Sequence, residues 1–535
     1  MAATMQTLLF MLAVLAAVAV AARRLNIAPS ILLVVAGIGM ALVPGLPKVT
    51  LAPEVVLLVL LPPLIYSAGV AMSWREFKFN LRPIGLLAFG CVIFTTCTVA
   101  AAAHYLLNFD WGVGFLLGAI ISPTDVVAPL SIARQLGIPR RLVVVLEGEG
   151  LANDATALVL YRFAVAAVVS GTFSLLHAAG TFALIVVGEV IYGLAVGWLS
   201  LRLRQWAHDP RVEITLSLMT PYLAFWVPAH LGGSGVLATV VCGLYISWNG
   251  PLLISSATRL QGIFFWDLIV YLIEGLVFLV TGLQARTLID NGHPFTIHDL
   301  IVATAWATLI AIVARYIWVF PATYLPRWLS PSLAKRDPLP SWQTVFLLAF
   351  TGVRGVDSLA VALAIPYVVA SGAPFPHRDL ILFVTFGVII VTLVVQGGLL
   401  PLVVRWLGLT RESKKEREHE IRAELAARKA ALAQVSKRLD KAIKDGELPD
   451  EMIRHLRTRN EAREQVLPAN LEDGLEFTRE TAKLKKELID TERQVIYDML
   501  RDGRISDEAR RRIEYELDLE EAAVANRAKD GGGWF

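Results

Sequence analysis

The sequence predicts an all-α, polytopic membrane protein with a charged helical tail, and three observations support this. The chain is 56% hydrophobic with a mean hydropathy of +0.59, which leaves too few polar residues to cover a soluble globule. Apolar runs of membrane-spanning length recur along residues 1–409. Residues 410–535 carry 56 of the 95 charged residues. We therefore divide the chain into a membrane domain, 1–409, and a tail, 410–535.

Thirteen apolar segments are candidate transmembrane helices. They cover residues 5–22, 29–44, 53–72, 83–107, 111–133, 141–169, 178–203, 211–230, 234–249, 262–284, 298–325, 341–369 and 379–406. The second and ninth are short, so each is a candidate for a tilted or half span. The competing count is twelve, with the first segment lost or re-entrant.

The distribution of basic residues predicts the orientation of the chain. The connections after odd-numbered spans contain thirteen lysines and arginines, against three in the connections after even-numbered spans. Connections rich in Lys and Arg stay in the cytoplasm. The N-terminus is therefore expected outside and the tail inside the cell.

Two of the predicted spans contain internal breaks. The fifth reads AIISPTDVVAP, with two prolines around Thr124 and Asp125, and the twelfth reads FTGVRGVDSLA, with two glycines around Arg354. Proline and glycine interrupt helices, although ordinary kinks are an alternative interpretation. The breaks lie seven spans apart, so spans 1–6 and 8–13 would form an inverted repeat. Interrupted helices at matching places in such repeats mark the central site of a transporter.

Ionisable residues inside apolar spans are functional candidates because charge is costly in a bilayer. In span six, LEGEGLANDATALVLY places Glu149 and Asn153 on one helix face and Asp154 about 100° further round. A site for a monovalent cation needs hard oxygen ligands and a group whose proton competes with the ion. Asp154 is predicted to be that group, and Thr124 and Asp125 are predicted to supply further oxygens.

The remaining intramembrane charges have structural interpretations. Glu149 and Arg315 are predicted to form an ion pair, and Arg354 to bind carbonyl groups or a carboxylate at the second break. Asn153 either donates to a carboxylate or holds the broken helix in place. Three acidic residues are packing or partner charges, with contact to the ion as the alternative: Glu189, Glu274 and Asp357.

At these residues the sequence resembles a known family. SPTDVVAP, LEGEGLANDATALVLY and TGVRGVDSLAVALA are similar to the three signature segments of the monovalent cation/proton antiporters of the Na+/H+ exchanger type, in particular the bacterial branch. The resemblance extends over residues 50–405. It implies thirteen helices in inverted six-helix repeats, two crossed broken helices, a homodimer, and a core domain that moves like an elevator. In a bacterium such a protein lies in the inner (plasma) membrane.

The resemblance also implies roles for individual residues. Asp154 matches the ion- and proton-binding aspartate, and Asn153 its partner in an Asn-Asp motif that is typical of electroneutral members. Thr124 and Asp125 match the Thr-Asp of the crossing helix, so that Thr124 and Asp154 would form the Na+ site. Further matches are the core ion pair Glu149 and Arg315, and Arg354 of the second crossing helix.

The sequence departs from this pattern at three places. Gly150 stands where many relatives have Ser, no acidic residue lies near Ser67, and Asp357 is an added carboxylate. These changes bear on ion choice and pH profile.

Other features exclude several classes of function. The net charge of +3 does not indicate nucleic-acid binding, and no motif indicates an enzyme or a cofactor. The cysteines lack metal-ligand spacing and are expected to be small buried residues: Cys91, Cys97 and Cys242. The tail is predicted to be an amphipathic helical hairpin that dimerises or packs under the membrane, or else a regulatory domain.

We therefore expect a secondary transporter that exchanges Na+, or alternatively K+ or Li+, for H+. Two other functions compete with this expectation. One is a passive cation pore, and the other is a membrane receptor or scaffold that signals through the tail.

Overall fold

The computed structural model describes residues 2–25, 27–43, 52–171, 174–290, 296–445, 450–465, 471–502 and 504–529. Within these ranges it consists of helices and their connections, without an extended strand. The prediction of an all-α protein is confirmed. Two compact units are present, Met1–Thr410 and Arg411–Phe535.

Within the described residues, the first unit contains seventeen helices. They are α1 Ala2–Leu25, α2 Pro29–Ala41, α3 Pro53–Ala71, α4 Trp74–Phe79, α5 Leu81–Leu107, α6 Trp111–Ile121, α7 Val127–Leu136, α8 Arg140–Ser170, α9 Leu175–Ala207, α10 Pro210–His230, α11 Val236–Leu253, α12 Ser256–Asp290, α13 Ile297–Leu329, α14 Pro331–Arg336, α15 Trp342–Phe350, α16 Val356–Leu363 and α17 Arg378–Leu407. The second unit contains α18 Thr410–Lys444, α19 Asp450–Gln465, α20 Leu471–Arg501 and α21 Asp507–Lys529.

In the described part of the chain, nine helices are long and apolar enough to cross a membrane: α1, α3, α5, α8, α9, α11, α12, α13 and α17. The other four predicted spans are too short, too polar or interrupted and do not meet this criterion. Helix α2 has only 13 residues. Helix α10 carries Arg211 and Glu213 in its first turn and contains two prolines. The fifth and twelfth spans are interrupted. Thirteen crossings and their inverted repeat stay predictions.

Both interruptions lie where the sequence placed them. Helix α6 ends at Ile121 and α7 begins at Val127, so Ser122 to Val126 are not helical. Helix α15 ends at Phe350 and α16 begins at Val356. Pro129 belongs to the first turn of α7, where its missing N–H removes no helical hydrogen bond. Pro123 and the glycines therefore cause the breaks, whereas Pro129 does not.

Helices in the first unit approach each other closely where glycines meet. Gly37 of α2 and Gly282 of α12 face each other, and a Cβ on Gly282 would overlap the carbonyl oxygen of Val34. Small residues allow such backbone contacts between membrane helices, where packing replaces the hydrophobic driving force. The α2–α12 pair therefore depends on glycine at these positions.

The cysteine prediction is only partly right. Cys91 and Cys242 are buried, but Cys97 is exposed on the surface of the protein. Its helix, α5, is apolar on both its inner and its outer face, as expected for a membrane helix, so sequence alone does not distinguish burial in protein from contact with lipid.

We predict that Gly282→Ala destabilises the protein, because the added methyl group must push α2 away from α12. The expected cost is about 1–3 kcal/mol, typical of overpacking, and it is read as a lower melting temperature in detergent. Gly262→Ala in the same helix is the matched control, since its Cβ would meet no atom within 4 Å. Equal melting temperatures for the two variants would contradict this account of the contact.

Candidate ion-binding site

The two interruptions touch each other through backbone. The amide of Asp125 donates to the carbonyl oxygen of Val353 at 2.8 Å. Gly355 packs directly on Asp125, and a Cβ there would lie 2.5 Å from the Cβ of Asp125. Glycine at position 355 is therefore required for the close crossing of the two broken helices.

Arg354 satisfies carbonyl groups that the first interruption leaves without helical partners. Its Nη1 donates to the carbonyls of Ser122, by a short contact, and of Pro123 at 3.1 Å. The guanidinium is buried, with the residue 2% exposed, and it lies at the C-terminal end of α6, where a positive charge is favoured by the helix dipole. Arg354 thus ties the second interruption to the first.

The second interruption is also held by α17. The amide of Arg354 donates to Thr392 Oγ1 at 3.0 Å, and the side-chain amide of Gln396 donates to the carbonyl of Phe350. Both residues lie in a π-helical stretch, Val391–Gln396. We did not single them out from the sequence, although two polar residues four apart in an apolar run are a usable signal.

Glu149 and Arg315 form a buried, bidentate ion pair. The Nη1 and Nη2 atoms of Arg315 lie 2.5 and 2.8 Å from the two carboxylate oxygens of Glu149. The side chain of Arg315 is 3% exposed and that of Glu149 is 2% exposed. Glu149 also accepts from Thr124 Oγ1 at 2.8 Å, and Arg315 donates to the carbonyl of Leu348 at 3.1 Å. The pair therefore fixes both interruptions from α8 and α13.

Asn153 is fully buried and binds the first interruption. Its Nδ2 donates to the carbonyl oxygen of Thr124 at 2.8 Å and to Thr124 Oγ1 at 3.1 Å. Among the described residues its Oδ1 has no hydrogen-bond partner. Of the two roles considered for Asn153, the structure shows the contact that holds the broken helix.

Asp125 and Asp154 line a cavity of about 420 Å³ together with Thr124. Asp125 Oδ1 accepts from the amide of Val127, the first residue of α7, at 2.8 Å. Its Oδ2 is buried and has no partner within the described ranges. The half-buried side chain of Asp154 projects from α8 towards the same space, so the cavity contains the carboxylate oxygens that a hard cation prefers.

The cavity extends along α8 to Arg140 at the start of that helix. At 1.5 Å per residue, Arg140 and Asp154 lie roughly 20 Å apart along the helix axis. A second, much smaller cavity of about 10 Å³ lies on the other side of Asp154. Its walls are mainly apolar, including Leu57, Ile120 and Val361. The site therefore lies between a large cavity that reaches the exposed Arg140 and a narrow space with mainly apolar walls.

Gly150 faces the same region and has no room for the side chain of a serine. A Cβ on Gly150 would lie 2.5 Å from a methyl carbon of Val126. The side chain of Val126 occupies the space that a serine would need.

The other acidic residues lie in different places. Asp357 and Glu274 both line the large cavity. Glu189 is 3% exposed and binds the N-terminus of α11, accepting from the amides of Ser234 and Gly235 at 2.5 and 3.0 Å. A carboxylate is favoured there by unpaired amides and the helix dipole, which gives Glu189 a structural role outside the cavity.

Comparison with known proteins identifies the family of this chain. The family profile described as "Sodium/hydrogen exchanger, transmembrane" matches residues 10–406. The chain belongs to the sodium/hydrogen exchanger family. Proteins of this family are secondary transporters and not enzymes, and the exchanger described here is an integral membrane protein.

Relatives of this exchanger cover most of its length. An uncharacterised Na+/H+ exchanger of Mycobacterium tuberculosis is 34% identical over 94% of this chain and 93% of its own. A sodium, potassium, lithium and rubidium/H+ antiporter of Bacillus pumilus is 33% identical over 69% of this chain and 56% of its own. The sodium proton antiporter MjNhaP1 of Methanocaldococcus jannaschii at pH 8 has a similar fold, with a TM-score of 0.61, 18% identity, and coverage of 75% and 98%.

We predict that Arg315→Leu strongly destabilises this exchanger, because it leaves the charge of Glu149 buried without its partner. Breaking such a pair costs about 3–5 kcal/mol. The double variant with Glu149→Leu should recover most of the lost melting temperature, since it removes the uncompensated charge.

Arg336→Leu is the control for the loss of an arginine, because Arg336 is exposed at the end of α14, and it should melt near the parent temperature. A double variant no more stable than Arg315→Leu would show that the pair is not what stabilises this region.

Proposed function

We propose that the protein exchanges Na+ for H+ across the membrane, with Asp154 binding the cation and the proton in turn. The observation that carries this proposal is the position of Asp154 between a large cavity and a small, mainly apolar one. A binding group at such a boundary can be reached from one side of the membrane at a time. This is the requirement for exchange by alternating access.

Competition between the two ions follows from the chemistry of a carboxylate in an apolar protein. An ionised carboxylate that is removed from water is costly unless a cation compensates its charge. Asp154 can be neutralised by a proton or by a monovalent cation, and each excludes the other. Movement of the unloaded, charged site is therefore disfavoured, which couples the flux of one ion to that of the other.

Thr124 and Asp125 are proposed to complete the cation site. Asp125 brings a buried oxygen that has no partner among the described residues, and Thr124 lines the same cavity. We assign Asn153 the role of a positioning residue, because its amide binds Thr124 and not a carboxylate. Glu149, Arg315 and Arg354 are proposed to hold the site without contacting the cation.

Na+ is the proposed cation, and proton-coupled K+ or Li+ exchange is the alternative. A similar protein of Aphanothece halophytica, 33% identical over 76% of this chain, is an Na+/H+ antiporter. The Bacillus pumilus relative, named for sodium, potassium, lithium and rubidium, supports the alternative. We propose one-for-one, electroneutral exchange because a single carboxylate alternates between the two ions.

The arrangement in the membrane belongs to the same proposal. Arg140, which lines the large cavity at the start of α8, lies in a connection that the basic-residue pattern assigns to the cytoplasm, so this cavity is proposed to face inward. The N-terminus lies outside, and the tail, 410–535, is a cytoplasmic domain for regulation or dimerisation. The membrane domain, 1–409, is proposed to work as a homodimer by an elevator-like motion in the bacterial inner membrane, where it contributes to pH homeostasis.

We predict that Asp154→Asn abolishes exchange while the protein still inserts and purifies, because an amide cannot be ionised. The purified variant is placed in vesicles with an internal pH dye, and Na+, Li+ and K+ are added in turn. Asp110→Asn is the matched control, since this exposed residue precedes α6 and has no side-chain capping bond, and it should retain parental rates. Undiminished exchange by Asp154→Asn would refute the mechanism.

The same vesicles separate an exchanger from a passive pore. Electroneutral exchange should be unaffected when an ionophore clamps the membrane potential, and it should saturate with cation concentration. A single-channel current in a planar bilayer would favour the pore.

A further inference from the structure

Asp357 is the second carboxylate at the boundary between the two cavities. Five residues line both the large and the small cavity: Leu61, Pro123, Asp154, Asp357 and Ser358. Only Asp154 and Asp357 in this set carry charge. A cation bound at this boundary therefore lies near both carboxylates.

The backbone presents Asp357 from the opposite interrupted helix. It is the second residue of α16 and lies two residues after Gly355, which packs on Asp125. Asp154 projects from the continuous helix α8, so the two carboxylates approach the boundary from two different elements.

Neither buried arginine of the site neutralises Asp357. Arg315 is bound to Glu149, and Arg354 donates to the carbonyls of Ser122 and Pro123. In the described ranges of the chain, no ion pair joins Asp357 to a lysine or arginine. The carboxylates that line the cavity at the crossing, Asp125, Asp154 and Asp357, therefore outnumber the positive charges near them.

We propose that Asp357 is a second anionic ligand of the transported cation and makes the site prefer the small ions Na+ and Li+ over K+. This rests on the proposed exchange at Asp154 and specifies the choice of ion at that same site. It concerns ion selection and not the number of protons exchanged, which Asp154 determines.

The preference follows from Coulomb's law. A small cation approaches a carboxylate oxygen more closely than K+ does, by a few tenths of an ångström, so each added anionic oxygen favours the small ion. The cost of stripping water from each ion is the same in the parent and in a variant of the site. It therefore cancels when their ratios of Na+ to K+ affinity are compared. At the effective dielectric constant of a partly buried site, one carboxylate changes this ratio by about fivefold.

The test compares the parent with Asp357→Asn in reconstituted vesicles, with KM and maximal rate measured for Na+, Li+ and K+. We expect Asp357→Asn to retain exchange, because Asp154 is present. The KM for Na+ and Li+ should rise more than the KM for K+, so that the Na+/K+ ratio of rate over KM falls about fivefold. Glu274→Gln is the matched control, because Glu274 lines only the large cavity, and it should keep the parental ratio whatever its rate.

Several results would overturn the proposal while leaving the exchange mechanism intact. These are an unchanged ratio in Asp357→Asn, an equal fall in Glu274→Gln, or a change in the number of protons exchanged per cation. Absence of exchange by the parent with every cation would instead refute the proposed function. If Asp357→Asn does not purify, Asp357→Ser replaces it, and the rise in melting temperature with each cation in detergent reports the affinities without transport. The same fall in ratio is expected there, and an unchanged ratio overturns the proposal.

Discussion

The backbone groups freed by the two helix interruptions need partners in a part of the protein that is shielded from water, and this constraint shapes the whole site. In an apolar interior each unsatisfied amide or carbonyl costs several kilocalories per mole. The structure meets the requirement by crossing the interruptions, so that the amide of Asp125 binds the carbonyl of Val353. Arg354, Asn153 and Gln396 bind further carbonyls. The broken helices are therefore fixed by side chains that have little freedom left to take part in transport.

The buried and half-buried carboxylates fall into two groups: those that are bound to partners within the scaffold and those that face the cavity. Glu149 is neutralised by Arg315, and Glu189 by the N-terminus of α11. Each is buried together with its partner, as the cost of isolated charge in a membrane demands. Asp154 and Asp357 instead face the cavity. The groups that can exchange ions are thus those that the scaffold leaves facing water, and the exchange chemistry follows from this difference in surroundings.

Much of the fold could be predicted because the relevant signals are local. Apolar runs predict the helices, and Pro123 together with Gly352 and Gly355 predicts the two interruptions. The partners within the site were harder to predict, since Arg354 binds carbonyls more than 200 residues away in sequence. Periodicity placed Glu149 and Asn153 on one face of α8. It could not tell that the amide of Asn153 would bind Thr124, because that contact depends on how α8 packs against the first interruption.

Other features could not be predicted from the sequence for related reasons. Thr392 and Gln396 lie in an apolar span, where polar side chains often bind their own helix, so their contacts with the second interruption were not predicted. Glu189 was interpreted as a packing or partner charge, but its partner could not be named, because it is a helix N-terminus 45 residues further along the chain. Asp357 was recognisable as an addition to the family pattern. Its position beside Asp154 became visible only once the cavities on the two sides of the site were known.

The most direct test of the central claim is to count the protons released when Na+ binds to the purified protein. Titration calorimetry in buffers of different ionisation enthalpy gives this number without transport, because proton release adds the heat of the buffer. If Asp154 binds either ion but not both, Na+ binding releases at most about one proton for each cation bound, and Asp154→Asn loses this release. Binding of Na+ without proton release, or equal release by Asp154→Asn, would contradict the account.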